Sequence, residues 1–399
     1  MSSLNRDYNY YQKILESETL PLAFVDLDLL EANLSDLKKR AGNKQIRIAS
    51  KSVRIFEVIK KALDFDPIYQ GIMCFSNAEA VWLSQKGMDD LLVGYPGLQE
   101  EYVRAVCGEL KKGKKIYLMI DLPEHIEYFN KIGKEEGVQI PLCIDVDMSS
   151  VYPGLRFGVW RSSVNDQSGV ENLLSMLDKN PNVAIKGLMG YEAAIAGMGD
   201  NFKGKLAQNL IVRFLKNRSA KEIAERRGNC VKALKDFGCQ LDFVNGGGTG
   251  SMEWTRAEDA VTEITVGSGL FNSTLFDNYS NFKHHPAAAY AMEIVRKPGK
   301  DIFTAHGGGY TASGAIGKDK EAQIYLPKEA ALIPQEGAGE VQTPFKYSGN
   351  LQLKLGQPVF MRHSKAGELF ERFKEVALIK DGKIIGKILS YRGEGQCFV

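Results

Sequence analysis

The sequence predicts an α/β protein in which a (β/α)8 TIM barrel is joined to a smaller, mainly β domain. The chain has 399 residues, more than one small core requires. Between residues 46 and 269, eight short apolar runs alternate with segments of helical periodicity. From about Ser280 the pattern changes to closely spaced short strands with turns between them.

The alternating segments define the predicted barrel. Helical periodicity is clear over residues 78–86, 100–110 and 220–237. Parallel strands need crossovers of this kind, and eight such units close into a barrel. A doubly wound open sheet is the structural alternative, but no glycine fingerprint follows the first strand of the series. The predicted strands are 46–51, 71–75, 90–95, 116–121, 142–147, 185–191, 243–249 and 263–269.

The second predicted domain is built from strands alone. We place the barrel at residues 44–279 and the β domain at 280–399. Residues 1–43 join the β domain, because a barrel that begins at residue 46 leaves the earlier strand near residue 22 without a partner. The predicted strands of this domain are 289–295, 301–304, 322–325, 358–361, 376–380 and 383–390.

Composition excludes several classes of function. Fifty-one Lys and Arg face 49 Asp and Glu, a net charge of +2 with the two signs interspersed, so no basic footprint for nucleic acid exists. No apolar run has the length of a membrane span, and the first residues lack the apolar core of a signal peptide. The six scattered cysteines form no CxxC pair, which predicts thiols of a cytoplasmic protein.

Two features predict chemistry at the barrel's carboxyl edge. Lys51 ends the first barrel strand, where a primary amine faces the ligand site and can condense with an aldehyde. Glycine-rich turns end the last two strands, and successive N–H groups with a Thr or Ser hydroxyl can hold a phosphate there. Either turn alone is as well explained by simple flexibility. Their joint position favours a phosphate site at these two turns, residues 245–251 and 266–269.

A lysine at strand one and a phosphate site at strands seven and eight match the anchor points of pyridoxal 5′-phosphate (PLP). The chain resembles the fold-type III PLP enzymes, in the branch of D-threonine aldolase and D-serine dehydratase. The resemblance covers nearly the whole chain and runs through motifs in the family's order. These motifs are Pro21-Leu-Ala-Phe-Val-Asp-Leu-Asp, Gly71-Ile-Met-Cys-Phe-Ser-Asn-Ala-Glu-Ala, Ile144-Asp-Val-Asp, Arg156-Phe-Gly and Gly187-Leu-Met-Gly-Tyr.

The resemblance assigns roles to individual residues. It implies that Lys51 is the Schiff-base lysine, that Arg156 helps to hold the cofactor's phenolic oxygen, and that the Tyr191 ring packs on the pyridine. The residues that match the phosphate contacts are Gly247, Gly248 and Thr249 in the first glycine turn and Gly267, Ser268 and Gly269 in the second. The residue that faces the pyridine nitrogen stays open between Glu263 and Thr265, and a carboxylate there would make the ring a stronger electron sink.

The chain departs from the resembled pattern at a metal site. Relatives in this branch hold a divalent ion with a histidine and, two residues later, a cysteine or aspartate. Here His363 fits the histidine, but Lys365 stands at the second position, and a protonated lysine is no ligand. Either another residue completes the site or the Lys365 ammonium replaces the ion's charge. The other candidate ligands are Glu368, Glu371 and Cys397.

The resemblance implies a PLP-dependent lyase, an aldolase or a dehydratase and deaminase, that acts on a D-3-hydroxy amino acid such as D-threonine or D-serine. It also implies a homodimer whose second subunit closes the pocket mouth. An amino-acid racemase of the alanine racemase type is the alternative, with Tyr310 or Tyr347 as the second base. A non-catalytic PLP-binding protein is a further alternative, but such relatives resemble the barrel alone.

Overall fold

The computed structural model describes residues 4–315, 317–365 and 367–398. These residues form two compact units. The barrel unit consists of Lys38–Lys51, Lys61–Gly267 and Phe398. The β unit consists of the chain up to Leu37, Ser52–Lys60 and Ser268–Cys397. The predicted domain boundaries, 44–279 and 280–399 with 1–43, stay a prediction, since a domain must also fold alone and compactness does not test that.

The strands of the described residues are β1 (Leu22–Asp26), β2 (Gln45–Ala49), β3 (Tyr69–Cys74), β4 (Leu91–Val93), β5 (Ile116–Ile120), β6 (Ile140–Asp145), β7 (Ser150–Tyr152), β8 (Leu155–Phe157), β9 (Val183–Gly190), β10 (Phe243–Gly246), β11 (Glu263–Val266), β12 (Ala288–Arg296), β13 (Ile302–His306), β14 (Gln323–Leu326), β15 (Ala330–Leu332), β16 (Gln342–Tyr347), β17 (Pro358–Arg362), β18 (Glu375–Lys380) and β19 (Lys383–Leu389).

The α-helices are α1 (Tyr8–Ile14), α2 (Leu27–Ala41), α3 (Phe56–Phe65), α4 (Asn77–Gln85), α5 (Glu100–Lys111), α6 (Pro123–Glu136), α7 (Gln167–Leu174), α8 (Ala193–Gly197), α9 (Leu206–Asp236), α10 (Met252–Thr255) and α11 (Ser268–Phe271). Short 3-10 helices span Ser50–Ser52, Leu177–Lys179, Thr274–Asn278, Lys318–Lys320 and Glu368–Glu371.

The predicted barrel is confirmed. Its strands close in the order β10, β11, β2, β3, β4, β5, β6, β9, and every neighbouring pair is parallel. All eight predicted strands are present, with ends shifted by a few residues. Closure leaves no free edge, so each strand satisfies its backbone groups on both sides.

Local signals fix the ends of the barrel helices. Ser76 caps α4 by accepting the N–H of Glu79 at 3.2 Å, and the Glu79 carboxylate accepts the N–H of Phe75 at 2.7 Å. Pro123 opens α6, where its missing N–H costs nothing, and Gly137 ends this helix at φ +64°. Such caps hold each helix in register with the strand that follows it.

The barrel interior combines an apolar layer with a buried ion pair. The apolar side chains are Leu92, Tyr117, Met119, Cys143, Met189 and Phe243, with Met73 packed against them. Below them, Arg47 donates to both Glu263 oxygens at 2.6 and 2.9 Å and to Asp90 at 2.9 Å. The pair is buried, so its charges are tolerated only because they neutralise each other.

The β unit is organised around a sheet that has nine strands among the described residues, with the path β15-β16-β13-β12-β1-β18-β19. Strand β17 pairs with β12 and β14. Strand β1 lies antiparallel to β12 and parallel to β18. Sequence reasoning missed β15 and β16. Strand β16 was hidden because Pro344 lies within it, and proline cannot donate to a ladder.

Helix α9 is longer than predicted, and in its first turns the usual burial pattern is reversed, with apolar residues exposed and polar residues buried. The sequence predicts a helix over 220–237, whereas α9 begins at Leu206. In its first turns Leu210 and Phe214 are exposed, while Asn209 and Lys216 are buried. The usual amphipathic pattern, which places apolar residues inside, therefore fails to reveal this part of the helix.

Among the residues that the structure describes, no helix has both the length and the apolar character needed to cross a bilayer.

Candidate active site

The candidate site lies at the carboxyl edge of the barrel, where strand alternation determines which side chains face inward. Cys143 and Met189 belong to the buried interior layer. Side chains on one face of a strand recur every second residue, so Asp145 is the next inward position on β6, and Tyr191, the first residue after β9, continues the alternation that begins with Met189. In barrels of this kind the carboxyl edge carries the ligand site.

Lys51 follows β2 directly, in the turn of 3-10 helix Ser50–Ser52. Its ammonium nitrogen lies 2.5 Å from the Tyr95 hydroxyl and 5.2 Å from the centre of the Tyr95 ring. The Ser50 hydroxyl donates to the carbonyl of Met73 at 3.0 Å, which anchors this turn to β3. A half-buried primary amine is thus held against an aromatic hydroxyl at the edge of the barrel.

Asp145 is an unusual carboxyl group at the same edge. Burial raises its pKa to about 7, the neighbouring Asp121 and Asp147 act in the same direction, and Arg161 opposes them. His125 lies 3.2 Å from the Asp121 carboxylate. A carboxyl that titrates near neutral pH can both accept and release a proton, which is the property of a general acid or base.

Tyr191 lies against the first glycine turn. A β-carbon placed on Gly248 would be 3.1 Å from Cε2 of Tyr191 and 3.0 Å from Cβ of Ala196, so a side chain at this position would crowd the ring. The guanidinium carbon of Arg161 is 5.7 Å from the centre of the Tyr191 ring. Burial raises the pKa of Tyr191 to about 12, so its hydroxyl stays protonated. The structure therefore brings together the predicted ring and one predicted phosphate turn.

Two N–H groups of this glycine turn, those of Gly247 and Gly248, are hydrogen-bonded to side chains around it. Gly247 adopts φ +85° and donates its N–H to the Glu192 carboxylate at 2.8 Å. Gly248 donates to the Ser251 hydroxyl at 3.0 Å. The carbonyl of Thr249 accepts from Arg40 at 2.7 Å. The turn is thus held in one shape by side chains around it.

Arg156 forms an ion pair within its own loop. It lies on the hairpin of β7 and β8, which the sequence did not reveal. The guanidinium donates to the Asp147 carboxylate. It also donates to the carbonyl of Val159, from Nε at 3.2 Å and from Nη2 at 3.1 Å. Its central carbon lies 4.0 Å from the centre of the Trp160 ring. Asp147 and Trp160 therefore fix the direction of Arg156.

Glu263 and Thr265, the two candidates to face the pyridine nitrogen, have different hydrogen-bond partners. Both Glu263 oxygens accept from Arg47, and one also accepts the Asn245 amide at 2.7 Å. Thr265, two residues nearer the carboxyl edge, hydrogen-bonds the same Asn245 side chain at 2.8 and 3.1 Å. The Glu263 charge is therefore neutralised inside the barrel, and Thr265 is the group nearer the edge.

The second predicted phosphate turn spans the boundary between the units. Gly267 ends the barrel unit, and Ser268 and Gly269 are the first residues of α11 in the β unit. Within the β unit, the Ser268 hydroxyl lies 3.2 Å from the Ser52 hydroxyl.

His363 is a fully buried histidine of the β unit. Neither ring nitrogen has a hydrogen-bond partner among the described residues. Burial lowers its pKa to about 3, with the adjacent Arg362 acting in the same direction, so the ring is neutral. Open nitrogens on a neutral imidazole are what a metal ligand presents. Yet the described part of the chain contains no group of three His, Cys, Asp or Glu residues that could hold an ion.

The other candidate metal ligands have different partners. Glu368 accepts the N–H of Ser313 at 3.0 Å, and Lys365 donates to the Ser313 hydroxyl at 2.9 Å. Glu371 pairs with Arg54 and Arg392, each at 2.6 Å. Glu368 and Glu371 are thus engaged with neighbouring backbone and side-chain groups.

The tyrosines considered for a racemase have distinct surroundings. The Tyr310 hydroxyl is buried without a hydrogen-bond partner among the described residues, and the Arg372 guanidinium carbon is 4.9 Å from its ring centre. The Tyr347 hydroxyl accepts the N–H of Leu351 at 2.8 Å. Neither contact identifies a base.

Sequence reasoning missed four groups around the barrel edge, namely Tyr95, Asp145, Arg161 and Glu192. Asp145 lies in the quoted Ile-Asp-Val-Asp motif, so strand alternation applied to that motif would have found it. Glu192 carries no such signal, because its contact with Gly247 joins residues 55 positions apart.

Comparison with known proteins identifies relatives over the part of the chain that contains the barrel. Residues 25–274 match the family model described as "Alanine racemase, N-terminal domain". Over 253 residues the chain is 23% identical to the D-threonine aldolase of Arthrobacter sp, and over 257 residues it is 22% identical to the 3-hydroxy-D-aspartate aldolase of Paracoccus denitrificans (strain Pd 1222). Each match spans 63% of this chain and 60% of the relative.

Two solved structures share the fold over nearly the whole chain. The D-threonine aldolase from Filomicrobium marinum superimposes with a TM-score of 0.79 at 15% identity, covering 95% of this chain and 96% of that one. The D-threo-3-hydroxyaspartate dehydratase from Delftia sp. HT23 gives 0.73 at 16% identity, covering 96% and 99%. Because the family model matches more than half of the sequence, the chain belongs to the alanine racemase N-terminal domain family.

Proposed function

We propose that this protein is a PLP-dependent lyase that acts on a D-configured 3-hydroxy amino acid. The observation that carries the proposal is the shared position of the Lys51 amine, the Tyr191 ring and the Gly247-Gly248 turn at one barrel edge. These groups suit the aldehyde, the ring and the phosphate of PLP, which is the cofactor expected for this family. The relatives named D-threonine aldolase and 3-hydroxy-D-aspartate aldolase support the substrate class.

The residues that would hold PLP are those the sequence predicted. Lys51 would bind its aldehyde carbon, Tyr191 its ring, and Arg156 its phenolic oxygen. The phosphate would lie at the glycine turns, on Gly247, Gly248, Thr249, Gly267, Ser268 and Gly269. When bound, PLP supplies an electron sink for a bond that breaks at the substrate's Cα.

Thr265 is the group we assign to the pyridine nitrogen. Glu263 already neutralises Arg47 and lies one inward position deeper on β11. The Thr265 hydroxyl is neutral and is oriented by Asn245. A hydroxyl stabilises a protonated ring less than a carboxylate would, so we expect a weaker electron sink.

Proton handling falls to Asp145 and Lys51. The Asp145 carboxyl exchanges its proton near neutral pH and faces the same edge as Tyr191. We assign it the proton of the substrate's 3-hydroxyl. The Lys51 amine, held by the Tyr95 hydroxyl, would hold or release the proton at the substrate's Cα.

A divalent ion at His363 stays a prediction. The two open ring nitrogens favour a ligand there, whereas the lack of a three-residue donor group among the described residues counts against an ion.

We further propose a cytoplasmic homodimer. No disulfide joins the six cysteines, all of which lie in the described residues, and this supports a reducing compartment. The exposed stripe of α9, Leu206, Leu210 and Phe214, recurs every fourth residue and is 79, 64 and 62% exposed. Apolar stripes of this kind mark contact surfaces, and a second copy of the chain is the occupant we propose.

The substrate class is tested by a panel of D- and L-threonine, D- and L-serine, 3-hydroxy-D-aspartate and alanine. We expect an aldehyde or a keto acid from the D-hydroxy amino acids only, and no product with the Lys51→Ala variant. Repeating the panel with a chelator tests the divalent ion. Inversion of alanine without either product would instead favour the racemase.

The role of Asp145 is tested with Asp145→Asn. Removing a general acid or base lowers kcat by about 10² to 10⁴.

The folded state holds the Asp145 proton more tightly than the unfolded state, so wild-type stability falls as pH rises from the ordinary aspartate pKa of about 4 to about 7. The variant lacks this loss, and its melting temperature relative to wild type should rise over that range and level off above it. If the difference in melting temperature between the variant and the wild type does not change with pH, the raised pKa of Asp145 is contradicted.

The dimer surface is tested by sedimentation at micromolar concentration. The double variant Leu210→Asp with Phe214→Asp places charges in the stripe and should weaken association at least tenfold, about 1.4 kcal/mol. Leu355→Asp is the control, because Leu355 is equally exposed at 62% and lies outside α9. A wild-type protein that is fully active as a monomer would overturn the proposal.

A further inference from the structure

Two consecutive residues after β9 hold the first glycine turn. The Tyr191 ring packs beside Gly248, and the Glu192 carboxylate accepts the N–H of Gly247 at 2.8 Å. Glu192 is only 1% exposed, and its other oxygen accepts the hydroxyl of Thr255. This carboxylate thus connects the end of one barrel strand to the turn that ends the next.

The charge of Glu192 is compensated from α9. Arg227 is fully buried and lies 3.4 Å from the Glu192 carboxylate. It also donates to the carbonyl of Gly190 at 2.9 Å and pairs with Glu258. A buried carboxylate is costly unless it is paired and hydrogen-bonded, and here both conditions are met.

The turn has little freedom to take another shape. Gly247 adopts φ +85°, and a β-carbon on it would lie 2.7 Å from Cγ2 of Ile264 and 3.2 Å from the Thr255 hydroxyl oxygen. The backbone is therefore pressed against the same cluster that Glu192 organises. Without the carboxylate, the Gly247 N–H would be buried with no acceptor, and the turn would have to move to satisfy it.

We infer that Glu192 is a positioning residue, which fixes the glycine turn at residues 245–251 in the shape that receives a phosphate group. The inference rests on the proposed function, because the phosphate is that of the proposed cofactor. Glu192 acts through the Gly247 N–H, and Arg227, which pairs with both Glu192 and Glu258, lowers the cost of burying its charge. The prediction is selective, since only ligands that carry a phosphate depend on the shape of this turn.

The test compares PLP with pyridoxal, which has the same ring and aldehyde but no phosphate. Both are titrated into the cofactor-stripped protein, well below its melting temperature. We expect the affinity advantage of PLP over pyridoxal to fall at least tenfold in Glu192→Ala and by less in Glu192→Gln, which keeps an acceptor for the Gly247 N–H. If Glu192→Ala does not fold, Glu192→Asp decides, because its shorter side chain withdraws the acceptor from the Gly247 N–H and keeps the charge beside Arg227. Its affinity ratio should then fall by more than that of Glu192→Gln.

Glu109→Ala is the matched control. Glu109 is a 4% exposed glutamate of the same barrel unit, and it accepts the Ser84 hydroxyl at 2.6 Å and pairs with Lys112. Its loss should lower stability and leave the ratio of the two affinities unchanged. An unchanged ratio in Glu192→Ala, or in Glu192→Asp if the Ala variant does not fold, would overturn the inference, and so would an equal fall in Glu109→Ala. If the wild-type protein binds neither ligand, the proposed function itself fails.

Discussion

The alternation of side chains along the parallel strands of a closed barrel is the constraint on which the candidate site depends. Every strand ends at the same edge, and every second side chain points inward. Tyr191 and Asp145 are inward positions one step beyond the buried Met189 and Cys143. Residues far apart in sequence therefore meet at the barrel mouth without any local motif that joins them.

The barrel unit has charged groups in its interior and at its carboxyl edge. In the interior, Arg47 is paired with Glu263 and Arg227 with Glu192, and both pairs are buried. Such pairs add little net stability, but each becomes strongly destabilising if one partner is lost. At the edge, the Lys51 amine is hydrogen-bonded to the Tyr95 hydroxyl, and burial raises the pKa of the Asp145 carboxyl to about 7. These are the groups whose protons the proposed chemistry would use.

The barrel could be predicted from sequence because each strand is a short apolar run and each crossover has helical periodicity. Lys51 could be placed at a strand end for the same reason. The start of α9 could not, since it buries Lys216 and exposes Phe214, which inverts the pattern on which prediction relies. Glu192 could not be predicted either, because its function comes from a hydrogen bond across the fold to Gly247.

The position of the cofactor is the central claim, and Lys51 is the residue on which it rests. Borohydride reduction of the purified protein, followed by peptide mapping with mass spectrometry, measures it directly. We expect a pyridoxyl group on the peptide that contains Lys51. A label on any other lysine, or no label at all, would contradict it.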